Sequence, residues 1–86
     1  MSTKVMLFWA DWSEPSKKYG DMLSNVMKDY DHYEVNYIDI DTKSGVAMGA
    51  EYGITGVPTT IIKNGSDFKI KVGTVPESTL REELSE

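Results

Sequence analysis

The sequence predicts an α/β fold, a four-stranded mixed sheet in the order β2-β1-β3-β4 with helices on both faces. Three observations lead there. Val5-Met6-Leu7-Phe8-Trp9 is apolar without alternation, a helical stripe and a β-branched run follow it, and two short strand-like segments later flank Asn64-Gly65. A chain of 86 residues has material for one compact domain, residues 1–86, and not for two, because each domain needs its own core.

The elements follow in order. Residues 5–9 form β1, a strand buried on both faces, since a half-exposed strand would alternate. Tyr19, Met22, Leu23, Val26, Met27 and Tyr30 recur at three- and four-residue spacing, which marks one face of a helix, α1, over residues 14–30. Residues 34–40 are rich in β-branched and aromatic side chains and form β2. A helix between two strands makes a βαβ unit with parallel strands and a right-handed crossover. Residues 44–52, with Val46, Ala47, Ala50 and Glu51, form a short, weakly amphipathic α2 that is expected to fray. Residues 59–63 and 68–72 form β3 and β4, an antiparallel hairpin around Asn64-Gly65, where glycine supplies the positive φ of a tight turn. In β4, Phe68, Ile70 and Val72 alternate with Lys69 and Lys71, the pattern of an edge strand with its apolar face buried and lysines guarding the other. Leu80 and Leu84 are the buried stripe of a last helix, α3, over residues 77–84.

Composition excludes several function classes. The net charge of -5 argues against nucleic acid, because a phosphate backbone rewards clustered Lys and Arg. No apolar run is long enough to span a bilayer and no basic secretory leader precedes β1, so no membrane partner and a cytoplasmic location are expected. The absence of cysteine removes disulfides, iron–sulfur ligation and thiolate zinc sites. His32 has no second histidine with which to build a metal site and reads as a solvated turn residue. Asp39 and Asp41 suggest a metal loop, but Ser44 stands where a calcium loop needs glycine, so they read as strand-end carboxylates. No metal and no bound cofactor are expected.

The chemistry-bearing stretch is Phe8-Trp9-Ala10-Asp11-Trp12-Ser13-Glu14-Pro15-Ser16-Lys17. It leaves the carboxyl end of a buried strand and opens a helix, where ligands of α/β sheets bind and where unpaired N–H groups concentrate partial positive charge. On local grounds Ser13 is a helix N-cap and Pro15 a first-turn proline. Serine hydrolysis fits poorly: a nucleophilic serine needs a base within reach, His32 lies toward the other end of the helix, and Lys17 reads as an ordinary solvated neighbour. Trp12, just before the helix, reads as a flat contact surface.

The same stretch resembles the thioredoxin active site, Phe-Trp-Ala-x-Trp-Cys-x-Pro-Cys-Lys, with serine at both cysteine positions. Tyr52-Gly53-Ile54-Thr55-Gly56-Val57-Pro58-Thr59 is similar to the family's Tyr-Gly-Ile-x-Gly-Ile-Pro-Thr, and Val72-Gly73-Thr74 resembles its groove-lining glycine segment. The resemblance covers essentially the whole chain, without the N-terminal strand and helix of full-length thioredoxins, and implies a thioredoxin-like fold. It also implies that Ser13 and Ser16 occupy the nucleophilic and resolving positions, that Pro58 follows a cis bond and faces them, and that Trp12, Glu14, Pro15, Gly56, Val57, Pro58 and Gly73 contact substrate. Leu7 replaces a buried aspartate of the family, and Glu14 a glycine. The chain thus reads as a redox-inactive Cys-to-Ser form of a small thioredoxin. The cysteine-containing parent would exchange thiols with protein disulfides, be recharged by an upstream reductase, and act as a monomer. The alternative is a natural non-catalytic module that binds an extended peptide in the same groove.

Overall fold

A computed structural model of the chain describes residues 3–85. The elements are β1 (Thr3–Trp9), α1 (Glu14–Met27), β2 (Tyr33–Asp39), α2 (Lys43–Tyr52), β3 (Thr59–Asn64), β4 (Asp67–Val72) and α3 (Glu77–Leu84). The sheet order is β2-β1-β3-β4. β1 runs parallel to β2, with Leu7 beside Tyr37, and antiparallel to β3, with Leu7 beside Thr60. β4 is antiparallel to β3 and forms one edge.

β1 is central because its side chains find apolar partners on both faces. Val5 and Leu7 point toward α1 and α3, where they pack with Tyr19, Leu23, Ile62 and Leu80. Met6 and Phe8 point the other way and meet Ile38 and Ile61, with Met48 and Tyr52 of α2 laid over them. The absence of alternation in the sequence therefore reflects two cores, one on each side of a single strand.

α1 ends sooner than the periodicity suggests. After Met27 the N–H groups of Lys28, Asp29 and Tyr30 bond three residues back, to Asn25, Val26 and Met27, so the last turn tightens. Tyr30 keeps its place against the core, which is why its spacing looked helical. α3 is fastened to this end of the molecule by Arg81, which reaches Asp29 at 2.9 Å while Glu77 of its own helix steadies it at 3.0 Å, and by Tyr33, whose hydroxyl donates to the Leu84 carbonyl at 2.8 Å.

Two expectations need correction. α2 does not bury Val46, Ala47 and Ala50, and Val46 is 60% exposed. Its buried positions are Gly45 and Gly49, because the helix lies so close to the end of β2 that a Cβ at Gly45 would collide with the Asp39 carbonyl. With two glycines on the inward face, Met48 and Tyr52 are the apolar side chains α2 lays on the core, a thin stripe to read. Both ends of the helix are also tied, by Thr42 accepting from the Gly45 N–H at 3.0 Å and by Gly53 in the left-handed conformation at φ 68°.

β4 does not bury Phe68, Ile70 and Val72, all of which are exposed. Register puts them on the α2 face, with Ile70 beside Ile61, but α2 packs on Met6, Phe8, Ile38 and Ile61 and stops short of the edge. The lysines turn to the opposite face, where Lys69 at 2.9 Å and Lys71 at 3.2 Å hold Glu83 of α3.

That clamp sets a pH dependence. Hydrogen bonds and charge from Lys69 and Lys71 hold the Glu83 carboxyl below its ordinary value of 4.5. Its stabilising contribution is therefore full above that value and is lost as pH falls through the lower, folded one. Glu83→Gln is expected to lower the thermal midpoint at pH 7 and to match the parent chain in strong acid. Melting both proteins from pH 7 to pH 2 checks this, and a gap that persists undiminished at the acid end would contradict it.

Candidate active site

The chain leaves β1 at Trp9, turns, and enters α1 at Glu14. Ser13 is the N-cap, with φ −106° and ψ 99°, and its hydroxyl oxygen accepts from the Ser16 N–H at 3.3 Å. The carbonyl of Ser13 accepts from the Lys17 N–H at 3.1 Å, and its own N–H donates to the Ala10 carbonyl at 3.1 Å. Pro15 has no N–H to satisfy. Of the helix's first N–H groups, the side chain of position 13 thus occupies the point toward which the helix N-terminus directs its positive end.

Ser16 is fully buried. Its hydroxyl oxygen accepts from the Ala10 N–H at 3.2 Å and shares one proton between the Ala10 carbonyl at 3.1 Å and the Ser13 carbonyl at 2.9 Å. A buried hydroxyl left unpaired would destabilise the fold, and here the strand end supplies both donor and acceptor. Sequence reading missed Ala10 because its part is played entirely by the main chain.

The rim is charged and aromatic. Lys17 is not a free solvated neighbour: it contacts Glu14 at 2.9 Å and Asp11 at 3.9 Å. The Lys17 hydrogen bond and charge push the Glu14 carboxyl down, and Glu14 pushes the Lys17 ammonium up. Trp12 is 69% exposed, yet it is not loose. Its indole N–H donates to Asp41 Oδ2 at 3.0 Å, and the Asp41 N–H donates to Asp39 Oδ1 at 2.9 Å. The strand-end carboxylates therefore hold the tryptophan in place, a link of twenty-nine residues that no local pattern carries. No group of three or more His, Cys, Asp or Glu among the described residues is arranged to hold a metal ion.

The second half of the site comes from the start of β3. The Val57–Pro58 peptide bond is cis and Pro58 is buried. Thr59 Oγ1 donates to the Gly56 carbonyl at 2.7 Å. Gly73, at φ 82°, donates its N–H to the Pro58 carbonyl at 2.8 Å. Thr74 lines one shallow depression together with Glu14 and Pro15, so the Pro58–Gly73 strip runs beside the start of α1. Extending the register in which Phe8 faces Thr59 sets Pro58 opposite Trp9. Among the described residues no hydrogen bond joins either serine to Val57 or Pro58.

Behind α1, a groove of about 540 Å³ lined by Leu7, Trp9, Gly20 and Tyr37 reaches Ser16. Leu7 is fully buried there, so no carboxylate at that position lies behind the helix. His32 is exposed and rests tilted against Tyr33, with ring centres 4.6 Å apart, at the amino end of β2 and away from the serines.

Two variants test this geometry. Ser13→Ala removes the cap and is expected to cost about 1 kcal/mol, measured by urea unfolding; an unchanged midpoint would show that the cap bond carries no stability. Asp41→Ala leaves an exposed position and is expected to change stability by less than about 0.5 kcal/mol while shifting the Trp12 indole N–H resonance in an NMR spectrum.

Comparison with known proteins gives a consistent result. The sequence model of the Thioredoxin family matches residues 2–86. The thioredoxin of Porphyra purpurea is 32% identical over 79 residues, covering 91% of this chain and 73% of its own. Thioredoxin 1 of Nostoc sp. is 28% identical over 78 residues, covering 90% and 72%. Among solved structures, thioredoxin O2 from Arabidopsis thaliana in its oxidized state superposes with a TM-score of 0.85 at 19% identity, covering 98% of this chain and 73% of that one; at that identity the likeness concerns the fold. No helix among the described residues is long and apolar enough to cross a membrane. With a family match along almost its whole length and the fold to go with it, the chain belongs to the thioredoxin family.

Proposed function

We propose that this chain is a Cys-to-Ser form of a small thioredoxin, a single domain over residues 1–86 whose cysteine-containing parent is a protein thiol–disulfide oxidoreductase. The observation that carries the reading is the bond from the Ser16 N–H to Ser13 Oγ. It puts the terminal atom of side chain 13 at the helix N-terminus, where a thiolate would be held ionised.

In the parent, the thiolate at position 13 attacks one sulfur of a protein disulfide. That sulfur–sulfur bond breaks, one substrate thiolate leaves and takes up a proton, and a mixed disulfide forms. The sulfur at position 16 then loses its proton and attacks the sulfur at 13, releasing the second substrate thiolate and closing a 13–16 disulfide. Two electrons have passed to the substrate, and an upstream reductase, flavoprotein or glutathione-linked, returns them. With oxygen at both positions neither step proceeds, because an alcohol stays protonated at neutral pH and makes no stable bond to sulfur. Trp12, Glu14, Pro15, Gly56, Val57, Pro58 and Gly73 form the substrate-contacting surface of this reading. The cytoplasm is its setting, a compartment where thiols are kept reduced.

A specific observation favours a second reading. Trp12 is presented outward yet pinned by Asp41, and the main-chain groups of Val57 make no hydrogen bond among the described residues. An exposed aromatic together with a main-chain position free to pair suits a natural peptide-binding module that works by strand addition. The source gene separates the readings: cysteine codons at 13 and 16 support the first, serine codons the second.

Restoring both sulfurs is the direct test. Ser13→Cys with Ser16→Cys is expected to reduce a disulfide protein with dithiothreitol as electron donor, while Ser13→Cys alone forms a mixed disulfide without turnover and Ser16→Cys alone, its thiol buried, forms none. An inert double variant that still folds would overturn the oxidoreductase reading.

A further inference from the structure

The exposed apolar side chains of β4 coincide with the outward-facing part of its backbone. The Gly73 N–H donates to the Pro58 carbonyl, which makes 58 and 73 a hydrogen-bonded pair across the β3–β4 ladder. Bonded and non-bonded pairs alternate in an antiparallel ladder, so 71 with 60 and 69 with 62 are bonded. Val72 with Thr59, Ile70 with Ile61 and Phe68 with Lys63 are not. The N–H and C=O groups of Phe68, Ile70 and Val72 therefore aim away from β3, out of the sheet edge. The same three residues are 53%, 41% and 71% exposed on the side α2 leaves uncovered, while Lys69 and Lys71 are drawn to the other face by Glu83.

We propose that β4 pairs with β4 of a second copy of this chain, antiparallel about a two-fold axis through Ile70, to join the two sheets edge to edge. In that register Phe68 faces Val72 of the second copy and Ile70 faces its own counterpart. All three pairs fall on residues whose backbone groups point outward, so each exchanges two main-chain hydrogen bonds. A one-residue slip would turn the apolar set onto the lysine face, so pattern and register specify each other. The charges close as well. On the other face Lys69 comes opposite Lys71 of the second copy, with Glu83 already seated between each chain's lysines, and Asp67 lies diagonal to Lys71 of the second copy. Each copy brings two ammonium groups and two carboxylates.

This departs from the monomer expected from the sequence, and the surface sets its strength. Three partly exposed side chains amount to a few hundred Å² per copy, below the ~800 Å² per partner of a permanent complex. The dimer is therefore reversible, with a dissociation constant on the order of 1 mM. It requires no redox chemistry and stands apart from the function proposed above.

Sedimentation equilibrium of the whole chain from micromolar to millimolar concentration is expected to show the average mass rising toward two chains, with the amide resonances of Phe68, Ile70 and Val72 shifting in step. Ile70→Lys, at an exposed position, is expected to weaken the association about tenfold or more by placing two ammonium groups on the axis. The chain has no cysteine, so Ile70→Cys gives a single thiol that should cross-link on mild oxidation faster than Val46→Cys, an exposed control on α2. That comparison stands even if the lysine variant folds poorly. A mass of one chain throughout, cross-linking no faster at 70 than at 46, or a dimer whose amide shifts lie elsewhere overturns the proposal, and binding of an unrelated extended peptide to a strictly monomeric chain would assign the edge to that partner instead.

Discussion

The joint between β1 and α1 is where the architecture and the chemistry of this molecule meet. Ala10 ends a strand buried on both faces, and its N–H and C=O both engage the hydroxyl of Ser16 six residues later. Because β1 is clamped between β2 and β3 and covered above and below, its carboxyl end cannot drift. The side chain of position 16 is therefore located by the centre of the fold, and position 13, one helical turn earlier, follows from it. The Pro58 strip comes from the strand next to β1 and is tied to Gly73, so the second wall of the site hangs on the same frame.

Much of this was legible from sequence because local pattern and tertiary role coincide. The unalternating run at Val5–Trp9 and the stripe from Tyr19 to Met27 encode burial directly in side-chain type, and β1 and α1 are found where those signals lie. Asn64-Gly65 encodes the hairpin through backbone conformation. Burial that side chains do not announce was not legible. Gly45 and Gly49 share the inward face of α2 with Met48 and Tyr52, and because glycine contributes nothing to an apolar stripe the helix looked only weakly amphipathic. Contacts between side chains distant in sequence were equally silent: the Trp12–Asp41 hydrogen bond joins the turn before α1 to the turn after β2, and nothing in the spacing of Asp39 and Asp41 distinguishes that duty from solvation. In β4 the alternation was read correctly as two faces. Which face is covered depends on how far α2 extends across the sheet, a tertiary fact with no local signature.

The helices are divided unequally. α1 and α3 share one face of the sheet, and α3 reaches the edge strand through Glu83. α2 alone serves the other face, where it lies over Met6, Phe8, Ile38 and Ile61 of β1, β2 and β3. Phe68, Ile70 and Val72 of β4 lie outside that cluster and stay exposed. The open face of β4 is thus what is left once α2 has settled on the other three strands, and the lysines that would screen an edge are committed to α3.

The serines of the site show how structural and reactive requirements separate. As a structural residue, Ser16 suits its surroundings: a small buried hydroxyl with one donor and two acceptors at hydrogen-bond distance. A thiol there would be larger and a weaker partner for the Ala10 main chain, and would give up some of that bonding in exchange for reactivity. At position 13 the balance runs the other way. The helix N-terminus stabilises negative charge, and a serine hydroxyl, neutral at physiological pH, uses only the capping part of that field. The helix N-terminus at position 13 thus favours an anion that serine does not supply, whereas the packing at position 16 accepts serine with its hydroxyl fully bonded. Fold stability and thiol chemistry thus place different demands on two positions one helical turn apart, and the hydroxyls at both meet the first through the bonds that join the end of β1 to the start of α1.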